Sequence, residues 1–218
     1  MPRVREALEN LCGGYWYPLY AYARRCGQSP EDAADLTQSF FAFLLEREVF
    51  EQADPERGRL RTFLLTAMQR FICDEWRKQQ RLKRGGGHTL ISINETLADE
   101  RYSRELVDHS TPEALYHRRW ALALLERTLL ALQADYTQQG KAALFEVLKP
   151  CLTDEQAGSS AAELGAQLGM NAGAVRVAIT RLRHRYRERL LREVSASMDA
   201  HSEADVEGEI DALFRALS

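Results

Sequence analysis

The sequence predicts an all-α protein of two helical domains, a helical bundle and a helix-turn-helix, joined by a flexible linker. Three observations carry that prediction. Apolar residues recur at intervals of three and four along most of the chain, and no segment alternates apolar and polar residues over a strand's length. Proline and glycine gather at Gly27 to Pro30, Asp54 to Gly58, Gly85 to Gly87, Thr111-Pro112 and Gly158, which divides the chain into helices of ordinary length. The 218 residues are 45% hydrophobic and 28% charged, enough apolar material for one or two soluble cores, so disorder of the bulk is not expected, and too many charges for a bilayer. No apolar run approaches the ~20 residues of a membrane span. The opening MPRVREALEN lacks the apolar stretch of a secretory signal, so a cytoplasmic protein is expected.

The first helix that the periodicity resolves runs from Glu31 to Leu45. Ala33, Leu36, Phe40, Phe43 and Leu44 fall on one face and are the expected core side. The opposite face collects Asp35, Gln38, Phe41, Ala42 and Leu45, so it is covered either by another helix of the same domain or by a partner. The next helix spans about Leu60 to Arg81, with Leu60, Leu64, Ala67, Met68, Phe71 and Ile72 toward the core. Arg70, Asp74, Arg77 and Arg81 form a neighbouring stripe, in which Asp74 can pair with Arg70, Arg77 or Arg81 and fix the guanidinium directions. Trp76 stands at its edge. It either fills the core or offers a plane on which an unstacked base can lie.

Residues 85 to 111 begin with three glycines and carry no sustained amphipathic stripe, as a linker would. Thr111-Pro112-Glu113 then reads as an N-cap followed by proline at the first helical position. Helices at about Pro112 to Tyr136 and Lys141 to Leu152 lead into a segment from Ser160 to Tyr186. There Leu164, Leu168, Met170, Val175, Ala178 and Leu182 have the spacing of a helix-turn-helix core. Gly165 falls where two elements approach closely, Gly169 supplies the turn, and Asn171 caps the second helix, whose core stripe is Val175, Ala178, Ile179, Leu182 and Tyr186. Arg176, Val177, Thr180, Arg181, Arg183, His184 and Arg187 point away from that stripe, so this helix can enter a major groove and reach phosphates beyond it. Residues 203 to 217 place Val206, Ile210, Leu213, Phe214 and Leu217 on one stripe with carboxylates opposite. This is a short amphipathic helix that caps the second domain, docks elsewhere in cis, or binds a regulator.

Charge separates what composition averages. The chain carries a formal net charge of −3, yet residues 57 to 84 hold nine basic and two acidic side chains, and residues 176 to 192 hold seven arginines and one glutamate. Two basic islands in an otherwise acidic chain are what phosphate binding requires, since each cation placed on a phosphate releases condensed counterions. Cys12, Cys26, Cys73 and Cys151 include no C-x-x-C pair and no histidine accompanies them, so no zinc site is indicated and buried, inert thiols are expected. No phosphate-cradling glycine loop, nucleophile elbow or H-E-x-x-H is present. Neither catalytic residues nor a cofactor or metal is expected, and the chain is read as a binding protein.

In this order, the two islands resemble the extracytoplasmic-function (group IV) sigma factors of bacterial RNA polymerase. The resemblance covers about residues 5 to 84 as a sigma-2-like bundle and 112 to 192 as a sigma-4-like helix-turn-helix. It rests on the D-L-x-Q-x-x-F stretch from Asp35 to Phe41, on F-L-x-x-A-x-x-R-x-x-x-D-x-x-R-x-x-x-R from Phe63 to Arg81, and on L-G-M-N-A-G-A-V-R from Leu168 to Arg176. It implies domains at residues 1–84, which bind core polymerase and the minus-ten element, and 112–194, which bind the minus-thirty-five element. Residues 85–111 are then the linker, with acidic Glu95, Asp99, Glu100 and Glu105 suited to a basic channel, and residues 195–218 are an extension. Core-polymerase contacts are implied for Asp35, Gln38, Phe41 and Leu45 on the β′ clamp helices, with the second domain on the β flap. Minus-ten contacts are implied for Arg70, Asp74, Trp76, Arg77 and Arg81, and minus-thirty-five contacts for Asn171, Arg176, Val177, Thr180, Arg181 and His184. The implied partners are core polymerase, promoter DNA both duplex and melted, and in some members an anti-sigma factor. No membrane is involved, and the free protein is a monomer.

The chain departs from the family pattern at Ser39, where the family usually has an acidic residue. Arg70 stands where asparagine is common, and Val177-Ala178 stands where Ser-Arg is frequent. The minus-ten preference therefore does not transfer. Three rival readings use parts of the sequence: a stand-alone helix-turn-helix regulator on duplex operators, a metal-dependent nuclease with Glu31, Asp32 and Asp35 as ligands, and a helical protein-binding adaptor.

Overall fold

In the computed structural model, residues 2–46, 60–82, 98, 102, 111–152, 160–196 and 203–217 are described, with side chains for 13–46, 60–78, 98, 102, 111–152, 160–195 and 205–217. Helix follows helix: α1 (Pro2–Arg25), α2 (Pro30–Glu46), α3 (Leu60–Leu82), α4 (Pro112–Gln138), α5 (Ala142–Leu148), a 3-10 turn (Lys149–Leu152), α6 (Ala161–Leu168), α7 (Ala172–Ala196) and α8 (Glu203–Leu217). No strand occurs among the described residues, in keeping with the expected all-α class. The chain folds into two compact units, residues 1–123 with 197–218, and residues 124–196.

In the first unit α1 is the central helix. From Pro18 to Ala23 every residue is buried, which a helix covered on several sides requires. Its end is closed by Gly27 at φ +93°, where the Gln28 amide donates to the Ala23 carbonyl and the Gly27 amide to that of Arg24. Ser29 then caps α2, accepting from the Asp32 amide at 3.0 Å and donating to the Asp32 carboxylate at 2.7 Å. α2 packs on α1, and α3 packs on both. The α2 core arc comprises Ala33, Ala34, Thr37, Phe40, Phe41 and Leu44. It is rotated from the expected one, bringing Phe41 in and leaving Leu36 and Phe43 half-buried. Polarity had kept Thr37 off the expected core, yet its hydroxyl is satisfied locally by donating to the Ala33 carbonyl at 2.7 Å. Phe40 and Phe43 close against Phe71 of α3 with ring centroids 5.6 and 5.3 Å apart.

The units divide at Leu124, inside α4, and α8 belongs to the first unit. One buried cation links α3, α4 and α8 within this unit. Arg61 in the first turn of α3, which charge alone places on the surface, is only 7% exposed. Its guanidinium pairs with Glu209 of α8, Nε to Oε1 at 2.5 Å and Nη2 to Oε2 at 3.2 Å. Nη1 lies 3.1 Å from Nδ1 of His117, and the guanidinium carbon sits 4.7 Å from the ring centre of Trp120. Tyr116 donates its hydroxyl to the Arg61 carbonyl at 2.9 Å. The first turns of α4 and the body of α8 are thereby tied to α3. Glu209 lies one turn before fully buried Leu213, so the face expected to carry solvated carboxylates is in part the docking face, and Phe214 of the expected apolar stripe is exposed instead. The expected linker, 85–111, lies outside the described residues except at Ala98, Tyr102 and Thr111. Ala98 and Tyr102 are helical and buried, and the Arg24 guanidinium stands 5.0 Å from the Tyr102 ring centre.

The second unit is built around Leu132, Tyr136, Phe145, Leu148, Cys151, Leu164, Val175 and Leu182. Of the six positions expected to form a helix-turn-helix core, Leu164, Val175 and Leu182 are buried, while Leu168, Met170 and Ala178 pack on the margin with Ile179 and Tyr186.

Candidate nucleic-acid interface

Three surfaces carry the residues singled out from the sequence. On α2, Gln38 is exposed, Asp35 half-exposed and Leu45 47% exposed, and together with exposed Ser39 and Ala42 they line the outward side. Phe41 does not join them. It is buried, its ring 6.0 Å from that of Phe40, and it supports the surface from beneath. Asp32, one of three carboxylates weighed as metal ligands, is engaged in the α2 cap. Among the described residues no group of three His, Cys, Asp or Glu side chains could hold a metal ion.

The second surface is the C-terminal half of α3. Leu64, Leu65, Met68 and Phe71 hold the helix to the core, so Arg70, Asp74, Trp76, Arg77 and Lys78 emerge on the far side. Trp76 is 59% exposed, which settles the choice between core and surface. Arg77 donates to Asp74 at 3.3 Å, one of the pairings the stripe allowed, and Lys78 pairs with Glu75. The backbone of Arg81 continues the helix, while its side chain lies outside the described residues. A large flat ring flanked by guanidinium groups can take a base by stacking and the adjoining phosphates by charge.

The third surface belongs to α6 and α7. Ser160 accepts from the Glu163 amide at 3.2 Å and Glu163 accepts from the Ser160 amide at 2.7 Å, a reciprocal cap that the S-x-x-E spacing encodes and that the sequence reading passed over. Gly169 takes φ +64° to end α6. At Gly165 a β-carbon would lie 2.4 Å from the Met170 carbonyl oxygen, so this position admits no side chain. Asn171 caps α7 by accepting from the Ala174 amide at 2.8 Å, a structural use of a residue expected at DNA. With Val175 and Leu182 fully buried, Arg176, Val177, Thr180, Arg181 and His184 face outward, Val177 at 50% exposure. The Thr180 hydroxyl donates to the Arg176 carbonyl at 3.0 Å. Arg183 is the exception among the residues expected to point away. It is half-buried and donates from Nε to the Cys151 carbonyl at 3.0 Å, fastening α7 to the 3-10 turn. Arg185 and Arg189 likewise reach Gln139 and Asp135 at 3.3 and 3.4 Å.

The thiols differ from expectation as well. Cys151 is buried, but Cys26 and Cys73 are exposed, and the side chain of Cys12 lies outside the described residues. No helix among the described residues is long and apolar enough to cross a membrane.

The fold and these surfaces define an all-α protein with two outward cationic helix faces, one on α3 bearing an exposed tryptophan and the other on α7. Residues 17–82, which run from α1 through the end of α3, match the family model of Sigma-70 region 2, and the chain is to that extent similar to sigma-70 factors. No curated protein and no solved structure matches the chain.

Proposed function

We propose that this chain is a sigma factor of the extracytoplasmic-function type, which binds core RNA polymerase and directs it to promoters. The observation that carries the reading is the exposed Trp76 beside the Asp74–Arg77 pair, at the end of the stretch similar to region 2. Residues 1–84 bind polymerase through the outward side of α2, Asp35, Gln38 and Leu45, with Phe41 as its backing. The same domain captures extruded bases of the melted minus-ten element on Trp76, with Arg70, Arg77 and Arg81 on the phosphates. Unpairing costs a few kcal/mol per flipped base and is offset by stacking and charge. Residues 112–194 hold the minus-thirty-five duplex and the β flap. Arg176, Val177, Thr180, Arg181 and His184 meet base edges and phosphates, and one bidentate arginine contributes about 1–3 kcal/mol of discrimination. No covalent bond is made or broken in these steps, so neither a catalytic group nor a cofactor is needed. The protein acts in the cytoplasm and is a monomer when free, open to control by an anti-sigma factor.

The net charge of −3 suits a protein that should bind DNA weakly until polymerase holds it. Run-off transcription with purified core enzyme on a promoter library tests the proposal. Specific transcripts that depend on the chain, and that disappear with Asp35→Arg combined with Leu45→Ala, support it. Binding of a palindromic duplex by the chain alone, without polymerase retention or transcripts, would identify a stand-alone regulator instead.

A further inference from the structure

Gly173, Arg176, Val177, Thr180, Arg181 and His184 recur at intervals of three and four along the first half of α7, and all are exposed. Val177 lies inside this face, an aliphatic side chain 50% exposed and flanked by two guanidinium groups. Neither Arg176 nor Arg181 has an acceptor for its guanidinium among the described residues, in contrast to Arg183, Arg185 and Arg189, which are held by Cys151, Gln139 and Asp135. Neighbouring polar groups are already engaged. The Asn171 side-chain oxygen accepts from the Ala174 amide at 2.8 Å, and the Thr180 hydroxyl directs its only proton to the Arg176 carbonyl at 3.0 Å. Side chains on a helix lean toward its N-terminus, and the residue one turn before Val177 is Gly173, which has no side chain to stand against the valine methyls. The face therefore presents free N–H donors around an open methyl patch.

In a major groove, guanine shows two acceptors, N7 and O6, and thymine shows the acceptor O4 beside a 5-methyl group, whereas adenine and cytosine each put an amino donor there. Donors around a methyl patch match guanine and thymine. An adenine or cytosine amino group would instead face guanidinium cations or an aliphatic side chain. We propose that Val177 reads the 5-methyl group of one thymine in duplex DNA, with Arg176 and Arg181 donating to acceptors of the adjoining base pairs. The proposal rests on the reading of α7 as a duplex-binding helix and names what that helix selects. Phosphate contacts fix register and carry no sequence information of their own, so the choice of thymine falls to the valine. Cytosine, the other pyrimidine, is refused twice, because it lacks the methyl group and turns an unmatched amino group toward the patch. Val177 is thus a specificity residue that acts by burying a methyl, while the two arginines supply the polar contacts around it.

The test starts from duplexes that the full-length protein, bound to core polymerase, selects from a randomised library. Each thymine of a selected duplex is then replaced in turn by deoxyuridine, which differs only in lacking the 5-methyl group. Replacement at one position should weaken binding about fourfold, the worth of burying one methyl. Val177→Ala should bind the thymine and uracil duplexes equally, whereas Arg181→Ala should weaken both and keep their ratio. Equal thermal midpoints for Val177→Ala and the parent protein show that the fold is intact, as expected for a half-exposed side chain replaced by a better helix former. Sequence-specific binding with no uracil-sensitive position, or a thymine preference that survives Val177→Ala, overturns the inference and leaves duplex reading by α7 standing. Selection of no duplex at all overturns both. If the chain alone, without polymerase, binds the selected duplex and shows the same Val177-dependent preference, the inference holds and only the sigma-factor reading falls.

Discussion

α3 and α7 carry the two basic islands, and they dispose of the same charge in different ways. Along α3 the sorting is by length. Arg61 at its start is sealed in the core against Glu209, whereas Arg70, Arg77 and Lys78 stand on its exposed second half. Around α7 the sorting is by side. Arg176, Arg181, Arg187 and Arg192 face outward, while Arg183, Arg185 and Arg189 turn back to the Cys151 carbonyl, Gln139 and Asp135, with Arg185 also 5.3 Å from the Tyr136 ring centre. The long stem of arginine permits either use, covering apolar surface while the head finds an acceptor. A count of basic residues therefore overstates the charge available to DNA in both helices, and only the partners of each guanidinium reveal by how much.

The sharpest way to break the comparison is to remove the counter-ion of the buried arginine. Glu209→Ala leaves Arg61 with the His117 ring nitrogen and the Trp120 face but no anion. Losing one partner of a buried pair costs about 3–5 kcal/mol. Chemical denaturation should show that loss, while Asp74→Ala, which frees exposed Arg77, should change stability by less than about 1 kcal/mol. Equal effects would mean that Arg61 is not sealed as described.

Gly165→Ala strikes the other helix pair. The new methyl would meet a backbone oxygen, which cannot swing aside as a side-chain tip would. Overpacking of this kind costs about 1–3 kcal/mol. The loss should appear in the unfolding of the second unit, read by proteolysis of residues 124–196, and should spare the first. Trp76→Ala is the converse, a change to function without a change to fold. With 59% of its surface exposed, the ring contributes little packing. Binding to single-stranded minus-ten oligonucleotide by the polymerase-bound protein should weaken by about 1–3 kcal/mol for the base it stacks, with duplex binding through α7 untouched.

Legibility from sequence followed the range of the interactions. The α6–α7 pair was almost wholly readable, because its spacing, the left-handed turn at Gly169 and the Asn171 cap are encoded within a few residues of one another. The α2 core arc was read one notch out, because apolar spacing alone gave no reason to bury Thr37 and Phe41 in place of Leu36. Arg61 was unreadable: its anion lies 148 residues away in a segment that looked like a detached tail, and no local pattern couples them. Exposure of Trp76 and Cys73 was equally beyond periodicity, since it depends on where α3 stops being covered. The role of each outward face was legible only as far as charge and aromaticity go.

The smallest expected effect is also the one that distinguishes the units by pH. His117 in the first unit is held below the ordinary 6.5 first by burial and next by the Arg61 guanidinium, whose Nη1 points at its Nδ1. The folded ring is therefore a neutral acceptor. As pH falls through 6.5 the unfolded chain takes up a proton that the folded one refuses, so stability declines, and the decline is complete once pH lies below the folded value. Above 6.5 neither state holds the proton and the full stability is present. The second unit contains one histidine, His184, which stands exposed beside Glu188 and outside the core. Thermal unfolding between roughly pH 8 and pH 5 should thus show a loss in the first unit that His117→Asn removes, since an asparagine oxygen can accept from Arg61 without titrating. A loss that survives this substitution would place the titrating group elsewhere and leave Arg61 held by Glu209 and Trp120 alone.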